Sequence, residues 1–157
     1  MRRCEGLQET YRRLCPDGSV TVFCKENQLE QEIQSPDIEL ESGKELAREC
    51  MQHPEITGIV AINDMVGFGV LDGLIEAGKR VPEDYSLCGF DNVFPSGFQR
   101  MQLTTVDHGT IYHGARAFHL LKDRMETVGP HSAAYPITRV EYRSKLVERG
   151  STGKPRE

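Results

Sequence analysis

Residues 56–92 read ITGIVAINDMVGFGVLDGLIEAGKRVPEDYSLCGFDN, and this stretch decides the fold. ITGIVAI (56–62) is the most hydrophobic run of the chain and lacks polar alternation, which predicts a parallel strand covered on both faces. Asn63 and Asp64 follow at its end. Asp64 is a good N-cap for a helix whose apolar positions include Val66, Val70, Leu71, Leu74 and Ile75, with Gly78 as its stop. Val81-Pro82 then turns the chain into YSLCGF (85–90), a second short buried strand that ends on Asp91-Asn92. Strand, helix and strand in this order predict an α/β fold with a mainly parallel sheet.

Working upstream, Cys4, Leu7, Tyr11 and Leu14 recur at helical spacing, and Pro16-Asp17-Gly18 closes that helix with a turn. VTVFC (20–24) reads as a buried strand. The polar residues 25–37 read as a long connection, of the kind that serves as a binding loop. Ser42-Gly43-Lys44-Glu45 has the capping-box pattern and predicts the start of a helix carrying Leu46, Ala47, Cys50 and Met51, which Pro54 blocks. Downstream, Ile111, Ala115, Phe118, Leu121, Met125 and Val128 predict a helix within 108–128. Val140, Tyr142, Ser144 and Leu146 alternate with charged residues, as in a half-exposed edge strand or extended arm.

A chain of 157 residues suffices for one domain with a core, or for most of one lobe and part of another. The net charge is -5, and the basic residues are scattered apart from pairs such as Arg2-Arg3 and Arg12-Arg13. No basic stripe is present to hold DNA by its phosphates. The five cysteines (Cys4, Cys15, Cys24, Cys50, Cys88) are odd in number and show no C-x-x-C spacing. That argues against a zinc site or disulfide framework, and for small core hydrophobes in a reducing cytoplasm. No stretch approaches the ~20 apolar residues of a membrane span, and no signal-peptide pattern precedes the body. Met1-Arg2-Arg3 opens almost directly into an amphipathic pattern, which we read as the start of a fragment of a longer chain.

In open α/β sheets, ligands bind beyond the carboxyl ends of the strands. Asn63-Asp64 and Asp91-Asn92 both fall there, and their amides and carboxylates suit hydroxyl-rich or base-like ligands. Taken singly, Asp64 could be only an N-cap and Asp91-Asn92 only a turn; their shared location favours a site. Two strand-end aspartates could also hold Mg²⁺ or act as acid and base. Yet no P-loop, G-x-G-x-x-G or G-x-S-x-G is present, and His108, His113 and His119 do not share one helical face. We therefore expect solvated or structural histidines, no catalysis, no metal site and no cofactor. Gly67, Gly69 and Gly73 each cost a helix ~1 kcal/mol against alanine. They point to close approach of a ligand, another helix or a second subunit, or to tight packing alone.

Three separated signatures in the correct order, IVAINDMVGFGVLDGLIEAGKRVPEDYSLCGFDN (59–92), LTTV (103–106) and LVERGST (146–152), resemble the LacI/GalR family of transcriptional repressors. The LVERGST ending favours the repressors over their periplasmic sugar-binding relatives. The resemblance runs from about residue 3 to 152 and is weakest over 25–38. It implies a three-layer αβα fold of the periplasmic-binding-protein-like type I, serving as an effector-sensing and dimerisation domain in the cytoplasm. Residues 1–103 would be the first part of the C-terminal effector-binding subdomain, 104–130 a partial N-terminal subdomain segment, and 131–157 the return to the C-terminal subdomain and tail.

The resemblance also assigns residues. Arg3, three before Gly6, matches the family's effector-contacting arginine; Asn63-Asp64 matches its Asn-Asp; and Asp91 matches the Asp of G-[FY]-D-[DN]. Arg3 would pair with the effector, and Asp91 would accept from its hydroxyls or ring nitrogens. Ile38 stands where the family often stacks an aromatic residue on the ligand, so a sugar platform is missing there. The implied partners are a sugar-like or nucleobase-like effector, a second copy of the chain meeting it through 94–101 and the glycine-bearing helix, and operator DNA. The DNA would be reached only through a helix-turn-helix headpiece outside this chain; no membrane is involved. The competing readings are a solute-binding protein of a sugar transport system, a small α/β hydrolase, and a sensor that answers to a partner protein.

Overall fold

The structure, a computed structural model, describes residues 2–23, 36–127 and 138–155. Its elements are α1 (Arg2–Leu14), α2 (Pro36–Cys50), β1 (Gly58–Val60), α3 (Asp64–Glu76), β2 (Ser86–Phe90), a 3-10 turn (Phe94–Gly97), β3 (Thr104–Asp107), α4 (Thr110–Thr127) and β4 (Lys145–Val147). The strands lie in the order β1-β2-β3-β4. The pairs β1–β2 and β2–β3 are parallel and β3–β4 is antiparallel, so the expected α/β fold with a mainly parallel sheet is present.

One face of the sheet is covered by α3, with α2 packed on it. Leu74, Leu87 and Leu103 are fully buried there with Ala47, Phe68, Val70, Leu71 and Tyr85. Each such aliphatic side chain stabilises the fold by roughly 1.5–3 kcal/mol through burial. Gly69 and Gly73 of α3 are explained by the contact with α2, while Gly67 faces Leu103 and Ala61 on the sheet side. A Cβ at Gly69 would collide with the carbonyl oxygen of Leu40 on α2, and one at Gly73 would lie 3.0 Å from the Ala47 Cβ. Of the alternatives the sequence leaves open for these glycines, close helix packing is the one realised. The glycine face is therefore occupied by α2 of the same chain, not presented to a second copy.

The opposite face carries Ser86, Cys88 and Phe90, which alternate with Leu87 and Gly89 along β2. Helix α1 reaches it through Arg3. On β1 this face is open: Val60 and Ile62 are about half exposed. The expectation that ITGIVAI is covered on both faces therefore fails. Only Gly58–Val60 is strand, and it lies at the outer edge of the sheet among the described residues.

Other local expectations are corrected. Ser42 does not cap a helix; α2 begins at Pro36, and the Ser42 hydroxyl donates to the Ile38 carbonyl 2.7 Å away, one turn back. A side chain bonding to its own i−4 carbonyl is compatible with the helix interior. Residues 20–23 form no strand and Val22 is half exposed, because β-branched composition makes a strand only where a partner ladder and a face to pack on exist. Cys24 and most of the predicted connection, residues 25–35, lie outside the described residues. The cap of α3 is Asn63, whose side chain accepts from the Val66 amide; Asp64 is the first residue of the helix proper.

Thr104–Asp107 belongs to the same sheet as β2, so the sheet continues past the division drawn at residue 103. The chain leaves it after Asp107 through Gly109 in the left-handed region (φ 76°), and α4 follows. No side chain described along α4 is buried; Ile111, Phe118 and Met125 are largely exposed. The returning segment pairs as the edge strand β4, in line with its alternating pattern. Among the described residues no helix is long and apolar enough to cross a membrane.

Candidate functional site

Strand β2 ends in a turn that only certain residues tolerate. Asp91 (φ 108°) and Asn92 (φ 52°) both take positive φ, a region where Asn and Asp are enriched among non-glycine residues. Such conformations cost of order 1–3 kcal/mol each and persist only where neighbours hold them. Here the Asp91 amide donates to the Val106 carbonyl at 2.9 Å, and the Asn92 amide to the Thr105 hydroxyl at 3.3 Å. The Asn92 side chain donates to Asp107 (3.2 Å) and accepts from the Arg149 guanidinium (2.7 Å). Arg149 thus ties the LVERGST segment to the turn.

The first turn of α1 lies across the ends of β1 and β2. Arg3 donates from Nη1 to the Ile62 carbonyl at 2.7 Å, its Nη2 lies 3.6 Å from Oδ1 of Asp91, and its guanidinium sits 3.8 Å from the centre of the Phe90 ring. With the two side chains 45% and 30% exposed, the pair adds at most ~1 kcal/mol to stability, so its consequence is orientation. His108 places Nε2 3.2 Å from the same Oδ1, and its ring stacks on Phe90 at 5.7 Å. Oδ2 of Asp91 faces no hydrogen-bond donor among the described residues.

Asp64 lies beneath this shelf. It has no exposed surface; the hydroxyls of Ser96 and Thr105 each donate to it at 2.5 Å, and the Val93 amide donates at 2.9 Å. Three donors around a carboxylate satisfy its charge without water. Asp64 therefore braces α3, the 3-10 turn and β3 against each other, and through Thr105 it supports Asn92. It does not touch the shelf's surface. Asn63 is spent on two structural bonds, accepting from Val66 (2.8 Å) and donating to Glu39 on α2 (2.8 Å). Ile38 precedes Glu39 on α2 and is about one third exposed.

Of the residues singled out from sequence, the structure brings Arg3 and Asp91 into direct contact. Asn63 follows Arg3's partner Ile62 in the chain, Ile38 neighbours Asn63's partner Glu39, and Asp64 is interior. Sequence reasoning missed His108, Phe90, Thr105 and Arg149. The rule that located the first two polar pairs would have found His108: Asp107-His108 stands at the end of β3 just as Asp91-Asn92 does at the end of β2.

The carboxyl of Asp107 is held below its usual value, first by the Gly109 amide and then by the Asn92 side chain, both of which bind its ionised form. Burial pushes the Cys50 thiol up to about 11, consistent with an inert core residue. Cys15 is exposed and Cys88 half-buried, so only part of the cysteine set fits the core reading. A separate groove of about 400 Å³ lies between α4 and the returning segment, lined by His113, Arg116, Leu120, Val140 and Tyr142. Among the described residues no group of three or more metal-ligating side chains converges.

Polar turns gathered beyond the carboxyl ends of parallel strands stand where open α/β sheets bind their ligands. The profile of the family described as Periplasmic binding protein-like domain matches residues 2–152. The chain belongs to this family, on the branch of the LacI/GalR regulators. It is 36% identical to the HTH-type transcriptional repressor PurR of Mannheimia succiniciproducens over 62% of this chain and 28% of the relative. With the ribose operon repressor of Halalkalibacterium halodurans it shares 29% identity over 82% of this chain and 38% of the relative. A LacI family regulator from Enterococcus faecalis, solved with bound ribose, superposes with a TM-score of 0.63 at 35% identity, covering 75% of this chain and 42% of that one. The chain thus spans about a third of the length of these curated relatives.

Proposed function

We propose that this chain forms one side of the effector cleft of a LacI/GalR-type transcriptional regulator and takes a small, hydroxyl-rich ligand at Asp91. The carrying observation is the Asp91 carboxylate: Oδ1 is held by Arg3 and His108, while Oδ2 stands at a partly exposed strand end with no donor on it among the described residues. A ligand hydroxyl donates to Oδ2, and the outer nitrogens of Arg3 donate to ligand oxygens. Asn63 and Ile38 border the site, and Asp64 acts as its buried brace. Neighbours solved with ribose and with lactose favour a sugar over a nucleobase. Relatives named as repressors favour a regulator over a transport protein or an enzyme.

In this reading the sheet belongs to one subdomain, and α4 belongs to the other. The effector acts by binding one arrangement of the two better than another, since only differential affinity shifts an equilibrium. A homodimer forms through the exposed Phe94 and Phe98, whose rings pack edge to face at 5.1 Å. Operator DNA is contacted by a headpiece outside this chain, in the cytoplasm. Titrating ribose, lactose and cellobiose into the protein by calorimetry tests the site. At least one sugar binds, and Asp91→Ala abolishes that binding while the circular dichroism spectrum is retained. Undiminished affinity in Asp91→Ala rules out the assignment.

A further inference from the structure

We propose that His108 is a positioning residue that couples the Asp91 carboxylate to the first turn of α4. This rests on the reading of Asp91 as the effector's acceptor. An ionised carboxylate only accepts, so the His108 imidazole, 3.2 Å from Oδ1, donates to it from Nε2. The imidazole is itself fixed by rings. It stacks on Phe90 (5.7 Å, 24°) and on His113 (5.7 Å, 25°), and His113 in turn rests on Tyr142 at 4.5 Å. Four aromatic side chains therefore run from the end of β2, through the β3–α4 connection, to α4 and the returning segment.

The backbone at the middle of this ladder is built as a joint. Gly109 takes a φ of 76°, its amide donates to Asp107 at 2.7 Å, and its carbonyl accepts from the His113 amide at 3.0 Å. Beyond the joint, α4 has no buried side chain among those described, so little packing opposes a change in its direction. The carboxylate that takes the ligand and the first turn of α4 thus share one imidazole. A hydroxyl on Oδ2 reorients the carboxylate, Oδ1 moves with it, and His108 carries the displacement to His113. Coupling through packed rings requires an energetic link between the two ends, not mere adjacency.

A double-mutant cycle read by amide hydrogen exchange at His113 tests this in the whole chain without any ligand. Asp91→Asn is expected to speed exchange at His113 by ~5-fold or more, the lower end of ordinary coupling between sites. In the His108→Ala background the same substitution is expected to change nothing. His108→Gln keeps a donor for Asp91 but loses the ring, so it is expected to behave like His108→Ala; it also serves as the second variant if His108→Ala does not fold. An Asp91→Asn effect that is absent, or equal in both backgrounds, overturns the proposal. Calorimetry with the sugars is read separately: wild-type protein that binds none of ribose, lactose and cellobiose counts against the sugar reading alone, because the exchange cycle decides the coupling.

Discussion

Helices α3 and α4 both carry apolar residues at helical spacing, and the chain treats them oppositely. Helix α3 buries eight of its residues between α2 and the sheet, down to a backbone contact at Gly69 that no side chain could enter. Helix α4 buries none of those described, and Ile111, Tyr112, Phe118 and Met125 stand mostly in solvent. Composition already separates the two: α3 is apolar almost all round, as a buried helix is, whereas α4 mixes its apolar positions with Arg116, Lys122, Asp123, Arg124 and Glu126. The difference locates the stability of the molecule in the α2–α3–sheet half. It also places the Arg3–Asp91–His108 cluster on the seam between a firmly packed half and a loosely packed one.

The sharpest way to break the comparison is to remove an apolar side chain from each helix. Leu74→Ala on α3 is expected to cost ~2–5 kcal/mol in urea unfolding, the usual loss for truncating a fully buried leucine. Phe118→Ala on α4, with Phe118 64% exposed, is expected to shift stability by less than ~0.5 kcal/mol. Equal losses at the two positions would show that α4 is packed in solution as tightly as α3.

A smaller effect sharpens the picture at the joint between the halves. The Asp107 carboxyl titrates below its ordinary value of 3.8 in the folded protein, because the Gly109 amide and Asn92 bind the ionised form. Its contribution to stability is therefore complete above that value and fades as pH falls through the lower folded one. Asp107→Asn is expected to flatten the acid limb of the denaturation midpoint plotted against pH. An unchanged acid limb would mean that the joint is not held by this carboxylate.

Much of the fold was legible because residues 56–92 carry a strand, a helix and a strand in which hydrophobic pattern and stop signals agree. Legibility failed where a local signal had a tertiary competitor. Ser42-x-x-Glu45 has the sequence of a capping box, yet the residues before it continue the helix back to Pro36 and bury the hydroxyl. Residues 20–23 have strand composition but no ladder among the described residues.

At the site, Arg3 and Asp91 came from resemblance and position, and the structure puts them in contact. Asp64 also stood at a strand end. Whether a strand-end carboxylate faces solvent or the interior depends on donors supplied from Val93, Ser96 and Thr105, up to 41 residues further along the chain. No local pattern encodes that. His108 is readable from its place at the end of β3 and not from helical spacing, because it sits in a connection and contacts Asp91.

The most direct test of the site on the seam is chemical-shift mapping of the ¹⁵N-labelled protein with ribose, lactose and cellobiose. The account predicts that the sugar that binds shifts Arg3, Phe90, Asp91, Asn92 and His108 most, with smaller shifts reaching His113, and that Asp91→Ala removes them all. Shifts confined to the groove between His113 and Tyr142, shifts that survive in Asp91→Ala, or none with any of the three sugars would contradict it.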